Sequence, residues 1–461
     1  MNRTRHRAPV IAFFPEASFG AALNCVAIAQ ALVRRGATPV VICHPGVAGI
    51  FADYGFKEYH LPASHVDNGR NVADYWQAFI NRHLPHFDLS PRDQLPTYVG
   101  PTWAAIVDTA IAAEDGLQET LARVRPDAIV LDNVVMFPAV AQAGCPWIRM
   151  ISCAETEWPD AVVPPYLSGL APGDQAARDA FTAAYLTATA KAHERYAAFR
   201  RTRGLPGLPG GLLLEPSPTL NLLLSPDPVG HDRAVPLNPA TTVYLQGCVR
   251  DEARFEIPVQ PDNRGPLVYL SFGSLGSIDS KLINRMIRVF ATIEARFIVN
   301  VGGGLDAYNQ VPDNVFLGAW FPQPSVVAQS DLFIHHGGNN SFCEALFFGV
   351  PSLVMPYCWD GHDNAMRAET TGSGRHMHRS EWTDAKLSES IIALPADRAM
   401  RGRLVAQAAI MRADPGNEAA AAAIRLVSRC PWNGFPTEAL VRAALKDEIQ
   451  KSTKSMALRC P

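Results

Sequence analysis

Residues 335–365 read HHGGNNSFCEALFFGVPSLVMPYCWDGHDNA, and this stretch decides the fold class. The apolar run DLFI precedes it directly, and its glycines and asparagines separate that run from FCEALFFG, which has a helical composition. A second apolar run, PSLVMP, follows the helical block. Strand, glycine-containing turn, helix and strand in this order make a βαβ unit, and such units build parallel sheets that are covered by helices.

Apolar strands and amphipathic helices alternate in two separate series along the chain. The first series begins with VIAFFP (Val10–Pro15) and continues through PVVIC (Pro39–Cys43) and RPDAIVLD (Arg125–Asp132). The second series begins with LVYLSFGS near residue 267. Residues 248–265 between them are charged, contain proline and have no hydrophobic period, which is typical of a linker. The pattern predicts an α/β protein of two doubly wound, Rossmann-like domains.

The chain divides at these points into four predicted parts. They are an N-terminal Rossmann-like domain over residues 1–247, a linker over 248–265, a C-terminal Rossmann-like domain over 266–428 and a helical tail over 429–461. In doubly wound sheets, ligands bind outside the carboxyl ends of the strands. We therefore expect the two domains to face each other across a cleft that holds the functional site.

Composition argues against several classes of protein. The 461 residues carry a formal net charge of −3 without a long run of one sign, which argues against a nucleic-acid partner. The apolar run VIAFF is shorter than the roughly 7–15 residues of a signal peptide core. No run approaches the ~18 apolar residues of a membrane helix. Nine scattered cysteines without a CxxC pair argue against zinc sites and disulfides. We expect a cytoplasmic protein without an integral membrane segment or a metal.

Two glycine-containing loops stand between a predicted strand and a predicted helix. They are SFGSLGS (Ser271–Ser277) and HHGGNNS (His335–Ser341). Such loops expose backbone N–H groups beside a helix N-terminus, which together bind anions. Neither loop matches GxGxxG or GxxxxGK[ST], so a simple dinucleotide site or P-loop is excluded. Tight turns that need glycine and asparagine are the alternative. Two such loops in one domain favour a phosphate site.

Three motifs carry a resemblance to a known family. VYLSFGSL, AWFPQ and HHGGNNSFCEALFFGVPSLVMP together resemble the donor-binding signature of the family 1 glycosyltransferases, which are UGT and macrolide-type, nucleotide-sugar-dependent enzymes of the GT-B fold. The resemblance covers about residues 8–428. It implies an inverting, metal-independent transfer of a hexose or deoxyhexose from a UDP- or TDP-linked sugar to a small apolar acceptor, such as a natural-product aglycone. It further implies a bacterial enzyme of antibiotic biosynthesis, a monomer or homodimer, that needs no cofactor beyond this nucleotide-sugar co-substrate.

The resemblance also implies which residues of the C-terminal domain bind the donor. They are Ser274, Trp320, Gln323, His336, Gly338, Asn340, Ser341, Glu344, Asp360 and Gly361. In this family pattern, Trp320 packs beside the nucleobase and Glu344 accepts the ribose hydroxyls. His336 binds the diphosphate, and Asp360 binds sugar hydroxyls. Taken singly, Trp320 would be a core aromatic residue and Glu344 a solvated helix charge.

The sugar end of the signature departs from the family pattern. The family usually has glutamine directly after the aspartate, and Gly361 stands in that place. The side-chain amide that would bind sugar hydroxyls is therefore missing. His362 and Asp363 are the candidates that would replace it. Both a UDP-hexose and a TDP-deoxysugar stay open as donors.

The usual base of the family is also missing. The resemblance places Ala21 where the family has its histidine, and no histidine occurs between His6 and His44. Asp132 matches the carboxylate that orients this histidine. Three alternatives remain: Glu16 is the base, with a pKa raised by burial, Asp132 is the base, or the acceptor needs little help. A solvated loop charge for Glu16 and a helix-capping aspartate for Asp132 are the structural alternatives.

The N-terminal domain is expected to hold the acceptor. Aromatic residues that would line an apolar pocket are Phe19, Trp103, Phe137, Trp158 and Tyr166, and the histidines His65, His83 and His86 lie on a loop on the same side. The missing histidine also favours an alternative function. The chain would then be a non-catalytic, glycosyltransferase-like partner or a nucleotide-binding protein.

Overall fold

The computed structural model describes residues 7–62, 78, 81–259, 263–277 and 279–429. Two sheets account for the described strands, one of seven and one of six. Every strand pair in both sheets is parallel. Each sheet is doubly wound, so the predicted α/β class is confirmed.

The first sheet has the strand order β3-β2-β1-β4-β5-β6-β7. Its strands are β1 (Val10–Pro15), β2 (Thr38–Cys43), β3 (Lys57–His60), β4 (Ala128–Asp132), β5 (Trp147–Ile151), β6 (Leu220–Leu223) and β7 (Thr242–Tyr244). Ile11 and Phe13 of β1 belong to one buried cluster, whereas Ala12 and Phe14 belong to another. Both faces of the sheet are therefore covered, which explains why its strands read as unbroken apolar runs.

The second sheet has the strand order β10-β9-β8-β11-β12-β13. Its strands are β8 (Leu267–Ser271), β9 (Arg296–Asn300), β10 (Val315–Gly318), β11 (Leu332–His335), β12 (Ser352–Val354) and β13 (Gly374–His376). In each sheet the strand order reverses once, between β1 and β4 in the first and between β8 and β11 in the second. These switch points are where doubly wound sheets bind ligands.

Fourteen α-helices connect the strands within the described residues. They are α1 (Phe19–Arg34), α2 (Ile50–Asp53), α3 (Pro91–Gln94), α4 (Gly100–Val124), α5 (Pro138–Ala141), α6 (Gln175–Thr202), α7 (Gly273–Gly276), α8 (Ser280–Phe290), α9 (Gln323–Val327), α10 (Asn339–Phe348), α11 (Gly361–Thr370), α12 (Asp384–Ala396), α13 (Arg398–Ala413) and α14 (Gly416–Val427). Helix α10 lies within residues 335–365, the stretch with which the sequence analysis began, and α11 begins near the end of that stretch.

The last described helix returns to the first sheet. Alanines of α14 pack in the same buried cluster as α1, and Glu418 of α14 pairs with Arg34 and Arg35 of α1. A Cβ atom added to Gly416 would lie 2.5 Å from the Gly247 carbonyl oxygen, so the backbones are in direct contact. The predicted domain limits stay predictions, and residues 430–461 of the predicted tail lie outside the described residues.

Candidate functional site

The two glycine-containing loops meet at the switch point of the second sheet. A Cβ atom added to Gly273 would lie 2.8 Å from His336 Cε1, and one added to Gly338 would lie 2.5 Å from His336 Nε2. Gly273 also has φ +69°, which glycine adopts without strain. Glycine at both positions is therefore what allows the loop after β8 and the loop after β11 to close over one imidazole ring.

The His336 ring is held as a neutral group. It stacks on Tyr357 with ring centroids 5.2 Å apart. Burial lowers the pKa of His336 to about 4, the Ser271 backbone opposes this shift, and the positive charge of Arg379 adds to it. At neutral pH the imidazole therefore carries no charge and can donate one N–H to an anion.

The N-terminus of α10 opens beside this ring. Gly338 precedes the helix and offers no side-chain cap, whereas the Asn339 N–H donates to Asp360 Oδ2 over 2.9 Å. The Asp360 carboxyl therefore lies at the helix N-terminus, and burial raises its pKa to about 7. Ser274 is exposed in the short helix α7, on the other loop. Asn340, predicted to help bind the diphosphate, donates instead to the Gly20 carbonyl oxygen of the first domain.

Three residues predicted to bind the nucleoside and phosphate come together. Gln323 Nε2 donates to Glu344 Oε2 over 2.8 Å and to Ser341 Oγ over 3.1 Å. The other oxygen of Glu344 accepts from Arg250 Nη1 over 2.9 Å, and Glu344 is only 2% exposed. Trp320 is 61% exposed, so it is not a core aromatic residue. Arg250 was not predicted, because it comes from the linker and nothing local marks it as a partner of α10.

Two carboxyl groups flank the switch point of the first sheet. Glu16 directly follows β1, and its backbone N–H donates to the carbonyl oxygen of Asp132, the last residue of β4, over 2.7 Å. Ser152 Oγ donates to Asp132 Oδ1 over 2.7 Å. Burial raises the pKa of Glu16 to about 7. Burial and the Glu16 charge raise the pKa of Asp132 to about 8, although the Ser152 hydrogen bond opposes this.

A third carboxyl group, that of Glu157, interacts electrostatically with Glu16 and Asp132. Burial raises its pKa to about 8, Arg149 opposes the shift, and the carboxyls of Asp132, Glu16 and Asp360 add to it. The four acids come from both domains and from four different segments of the chain. Sequence analysis missed Glu157, although the segment ETEW follows β5 at the carboxyl edge of the sheet, where ligands bind.

A cavity of about 350 Å³ lies in the first domain. Trp103, Tyr166 and Glu157 line it, together with Tyr185 of α6. Of the aromatic residues predicted to bind the acceptor, only Trp103 and Tyr166 line this cavity.

The other aromatic residues predicted to bind the acceptor lie elsewhere. Phe137 is 1% exposed and packs edge-on against Phe14 in the core, with ring centroids 4.9 Å apart. Phe19 begins α1 and is 43% exposed. The Trp158 carbonyl oxygen accepts from Arg233. Apolar character alone does not distinguish a core position or a helix start from a pocket wall, so these residues could not be sorted from the sequence.

Two of the three histidines predicted on the acceptor loop lie within the described residues. His83 is buried and packs edge-on against Tyr98, with ring centroids 5.1 Å apart. The His83 and His86 rings lie 6.0 Å apart. His65 lies outside the described residues.

Trp359 contacts two aromatic residues of the cavity wall from the other domain. It precedes Asp360 in the second domain, and its ring lies 5.9 Å from Trp103 and 6.2 Å from Tyr166 of the first domain. Its φ of +56° is in the left-handed region, which a bulky residue adopts only where the surroundings enforce it. Sequence analysis missed this residue because it lies between two recognised motifs.

One group of three metal-ligating side chains occurs among the described residues. Cys43, Glu58 and His60 offer ligand atoms within 4.8 Å of one another. The Glu58 carboxylate already accepts the backbone N–H groups of Gly49 and Phe51 at the start of α2. Because the Glu58 carboxylate already accepts these hydrogen bonds, Glu58 is better explained as a helix cap than as a metal ligand. Separately, no helix in the described ranges is long and apolar enough to cross a membrane.

Comparisons with known proteins agree with this geometry. Residues 284–426 match the family described as erythromycin biosynthesis protein CIII-like, C-terminal domain. The NDP-glycosyltransferase YjiC of Bacillus subtilis (strain 168) is 30% identical over 168 residues, which cover 36% of this chain and 43% of that protein. This chain therefore aligns with less than half of that relative's own length.

Solved structures extend the likeness to both domains. The crystal structure of the glycotransferase of kitacinnamycin is similar with a TM-score of 0.66 at 22% identity, over 90% of this chain and 98% of that one. The relatives that this chain matches over part of its length are glycosyltransferases, and the solved structures show that both of its domains share their fold. The glycosyltransferase VinC in complex with dTDP has a TM-score of 0.60 at 18% identity, over 91% and 99% of the two chains. The two doubly wound domains thus form a GT-B fold.

The backbone around Gly361 leaves no room for the glutamine that the family pattern has at this position. A Cβ atom on Gly361 would lie 2.5 Å from the His336 carbonyl oxygen, so a side chain would need the backbone to move. His362 and Asp363, the candidates to replace the amide, both contact the first domain. The His362 ring lies 3.2 Å from Gln94 Oε1, and Asp363 accepts from Thr156 Oγ1 over 2.6 Å.

Proposed function

We propose that this chain transfers a hexose or deoxyhexose from a UDP- or TDP-linked sugar to a small acceptor, with inversion and without a metal. The observation that carries the proposal is the closure of two glycine loops over the neutral His336 beside the N-terminus of α10. Anions bind where backbone N–H groups and a helix N-terminus point to one place. The dTDP bound by the similar VinC supports a diphosphate ligand. The erythromycin-biosynthesis description of the matching family supports a bacterial natural-product aglycone as acceptor.

The proposed donor lies along the carboxyl edge of the second sheet. Its nucleoside end meets Trp320 and the Gln323–Glu344 pair, and its diphosphate meets His336 and the two glycine loops. Its sugar end lies beside Asp360. Backbone N–H groups and one imidazole N–H would stabilise the departing diphosphate, so the proposal includes no metal and no cofactor besides the co-substrate.

The proposed reaction is a single displacement. The acceptor oxygen forms a bond to the anomeric carbon while the bond from that carbon to the diphosphate oxygen breaks. The acceptor proton passes to Glu16, whose pKa of about 7 suits a base near neutral pH. Asp132 would hold the arrangement through its backbone contact with Glu16. Attack from the face opposite the diphosphate inverts the anomeric configuration.

Ala21 in place of the usual histidine favours a second candidate, a non-catalytic nucleotide-binding partner. One experiment distinguishes the two candidate functions. The purified chain is incubated with UDP- and TDP-linked hexoses and a panel of phenol and alkyl-hydroxyl acceptors, with and without EDTA. We expect a glycoside of inverted configuration by NMR and no loss with EDTA. Nucleotide binding by calorimetry without turnover across the panel would favour the second candidate.

A further inference from the structure

Glu157 is a buried carboxylate that faces the cavity without a partner. It is 8% exposed and lies on the wall of the 350 Å³ cavity in the first domain. Among the described residues, no hydrogen bond or ion pair to its carboxylate occurs. A buried charge without a partner is costly, so such groups are usually bound to something.

Other buried acids of this chain show the contrast. Asp363 accepts the Leu167 and Gly169 N–H groups as well as the Thr156 hydroxyl. Glu344 accepts from a guanidinium and an amide. These acids are satisfied within the protein, whereas the Glu157 oxygens are left for a molecule in the cavity.

The surroundings of Glu157 are rich in carboxyl groups. Carboxyls of Glu16, Asp132 and Asp360 act on it electrostatically, and Arg149 is the cation that acts on it. The Arg149 guanidinium is bound to carbonyl oxygens of Asn133, Val135 and Glu215 and makes no ion pair with Glu157. Three carboxyl groups thus act on Glu157 against one guanidinium, whose Nε and Nη1 donate to carbonyl oxygens and whose Nη2 has no hydrogen-bond partner among the described residues.

The cavity wall adds aromatic faces to this negative end. Trp103 and Tyr166 line it beside Tyr185 of α6, which interacts electrostatically with Glu157. Arg178 also lines the wall, but its guanidinium donates to the carbonyl oxygens of Asp160 and Ala161. A carboxylate at one end of an aromatic cavity is the arrangement that binds ammonium groups, by charge and by cation–π contact.

We propose that the acceptor of this chain carries a protonated amine, and that Glu157 binds this amine in the cavity. The proposal rests on the proposed function only in treating the cavity as the acceptor site. The ammonium would sit beside the reaction centre without reacting, and its charge would offset the cluster of acids. An apolar but uncharged aglycone would leave that cluster uncompensated.

The test uses three probes of one shape that differ in charge. They are tyramine, which is cationic, 4-ethylphenol, which is neutral, and 3-(4-hydroxyphenyl)propanoate, which is anionic. We expect the full chain to bind tyramine about tenfold more tightly than 4-ethylphenol by calorimetry, with the anion weakest. Glu157→Gln should remove the preference for tyramine and keep the affinity for 4-ethylphenol, which also shows that the variant is folded.

A matched control comes from the same cavity. Asp179 also lines it, but this acid is exposed and bound to Gln175 Nε2. Asp179→Asn should leave the order of the three probes unchanged. Since Glu157 must lose its proton to pair with a cation, tyramine affinity should also rise from about pH 6.5 to about pH 8.5 in the unmodified chain, and Glu157→Gln should lose this rise.

The outcomes separate this inference from the proposed function. An equal tyramine preference in the unmodified chain and in Glu157→Gln would overturn the inference, and so would the absence of measurable tyramine binding. UDP and TDP titrations report on the donor site, which Glu157 does not touch. Tyramine selectivity that depends on Glu157, together with no sugar transfer, would refute the function and keep Glu157 as an amine-binding residue of the cavity.

Discussion

Replacement of Glu16 by glutamine tests whether Glu16 is the catalytic base. The side chain keeps its shape but can no longer accept a proton. Glu16 is positioned by β1 and by its backbone hydrogen bond to Asp132, and neither depends on its carboxyl group. A loss of activity would therefore report on proton transfer and not on the fold.

The size of the effect follows from the raised pKa. A carboxyl group with a pKa of about 7 is roughly 9% ionised at about pH 6 and roughly 91% ionised at about pH 8. If Glu16 is the base, kcat/KM for an uncharged alkyl-hydroxyl acceptor should rise about tenfold over this range. Glu16→Gln should lower kcat/KM by about 10²–10⁴ and remove the rise. The ratio between the two proteins should therefore be largest at high pH.

The assay measures initial rates of diphosphate release at saturating donor from about pH 5.5 to about pH 9. Asp132→Asn serves as the comparison, because a larger loss in that variant would make Asp132 the base. A phenol acceptor should narrow the difference, since it loses its proton more easily. A Glu16→Gln enzyme that keeps the tenfold rise and stays within threefold of the unmodified rate would refute the reasoning.

Three further substitutions test the donor site and the contact between the domains. His336→Ala should weaken UDP or TDP binding about tenfold in calorimetry and lower kcat/KM by about 10²–10³, because it removes an N–H that donates a hydrogen bond to the diphosphate. Unchanged binding and kinetic constants would refute the assigned site. Asp363→Ala should lower the free energy of unfolding by about 2–5 kcal/mol in urea, because two buried N–H groups lose their acceptor. The exposed Asp384→Ala should cost under about 1 kcal/mol, and equal losses would count against the argument. Gly361→Gln should cost about 1–3 kcal/mol because its Cβ meets a carbonyl oxygen, and an unchanged melting temperature would show that the contact is not close.

The sequence predicted the central strands well. Val10–Pro15 was predicted as a strand and is β1, and the strand predicted at Pro39–Cys43 begins one residue earlier. Central parallel strands are buried on both faces, so their apolar runs are unbroken and easily recognised. The edge strands Lys57–His60 and Gly374–His376 were missed, because polar edge strands are held by pairing with a neighbour and carry no apolar signal.

One long helix also escaped prediction. Helix α4, Gly100–Val124, contains a proline near its start and a glycine at position 116. These residues mark turns when the sequence is read locally. The helix is held by packing against α6, and a Cβ atom on Gly100 would lie 2.7 Å from the Ala188 carbonyl oxygen. Glycine here permits a close helix contact, which a single sequence does not reveal.

Some residues of the candidate site could likewise be predicted from the sequence, whereas others could not. His336, Gln323 and Glu344 belong to short motifs, and the structure brings them to one edge of one sheet. Glu157 and Trp359 have no motif, and their importance comes from what the other domain places opposite them. Residue type and spacing describe one domain at a time, so contacts across the cleft are beyond a reading of the sequence.

One departure from the family pattern, Ala21, concerns the catalytic base. Ala21 removes a histidine from the start of α1, and the cleft there is lined by acids whose pKa values are raised by burial. A carboxyl group with a pKa near 7 can accept the proton that the histidine would have accepted. As the carboxyl groups of this cluster ionise above neutral pH, they disfavour an anionic acceptor and favour a cationic one. If the acids replace the histidine, Glu16→Gln should abolish the pH dependence of turnover for a neutral acceptor and leave tyramine binding intact. Glu157→Gln should instead weaken tyramine binding and leave the pH dependence of turnover intact. Identical effects of the two substitutions would mean that the acids act only through their summed charge.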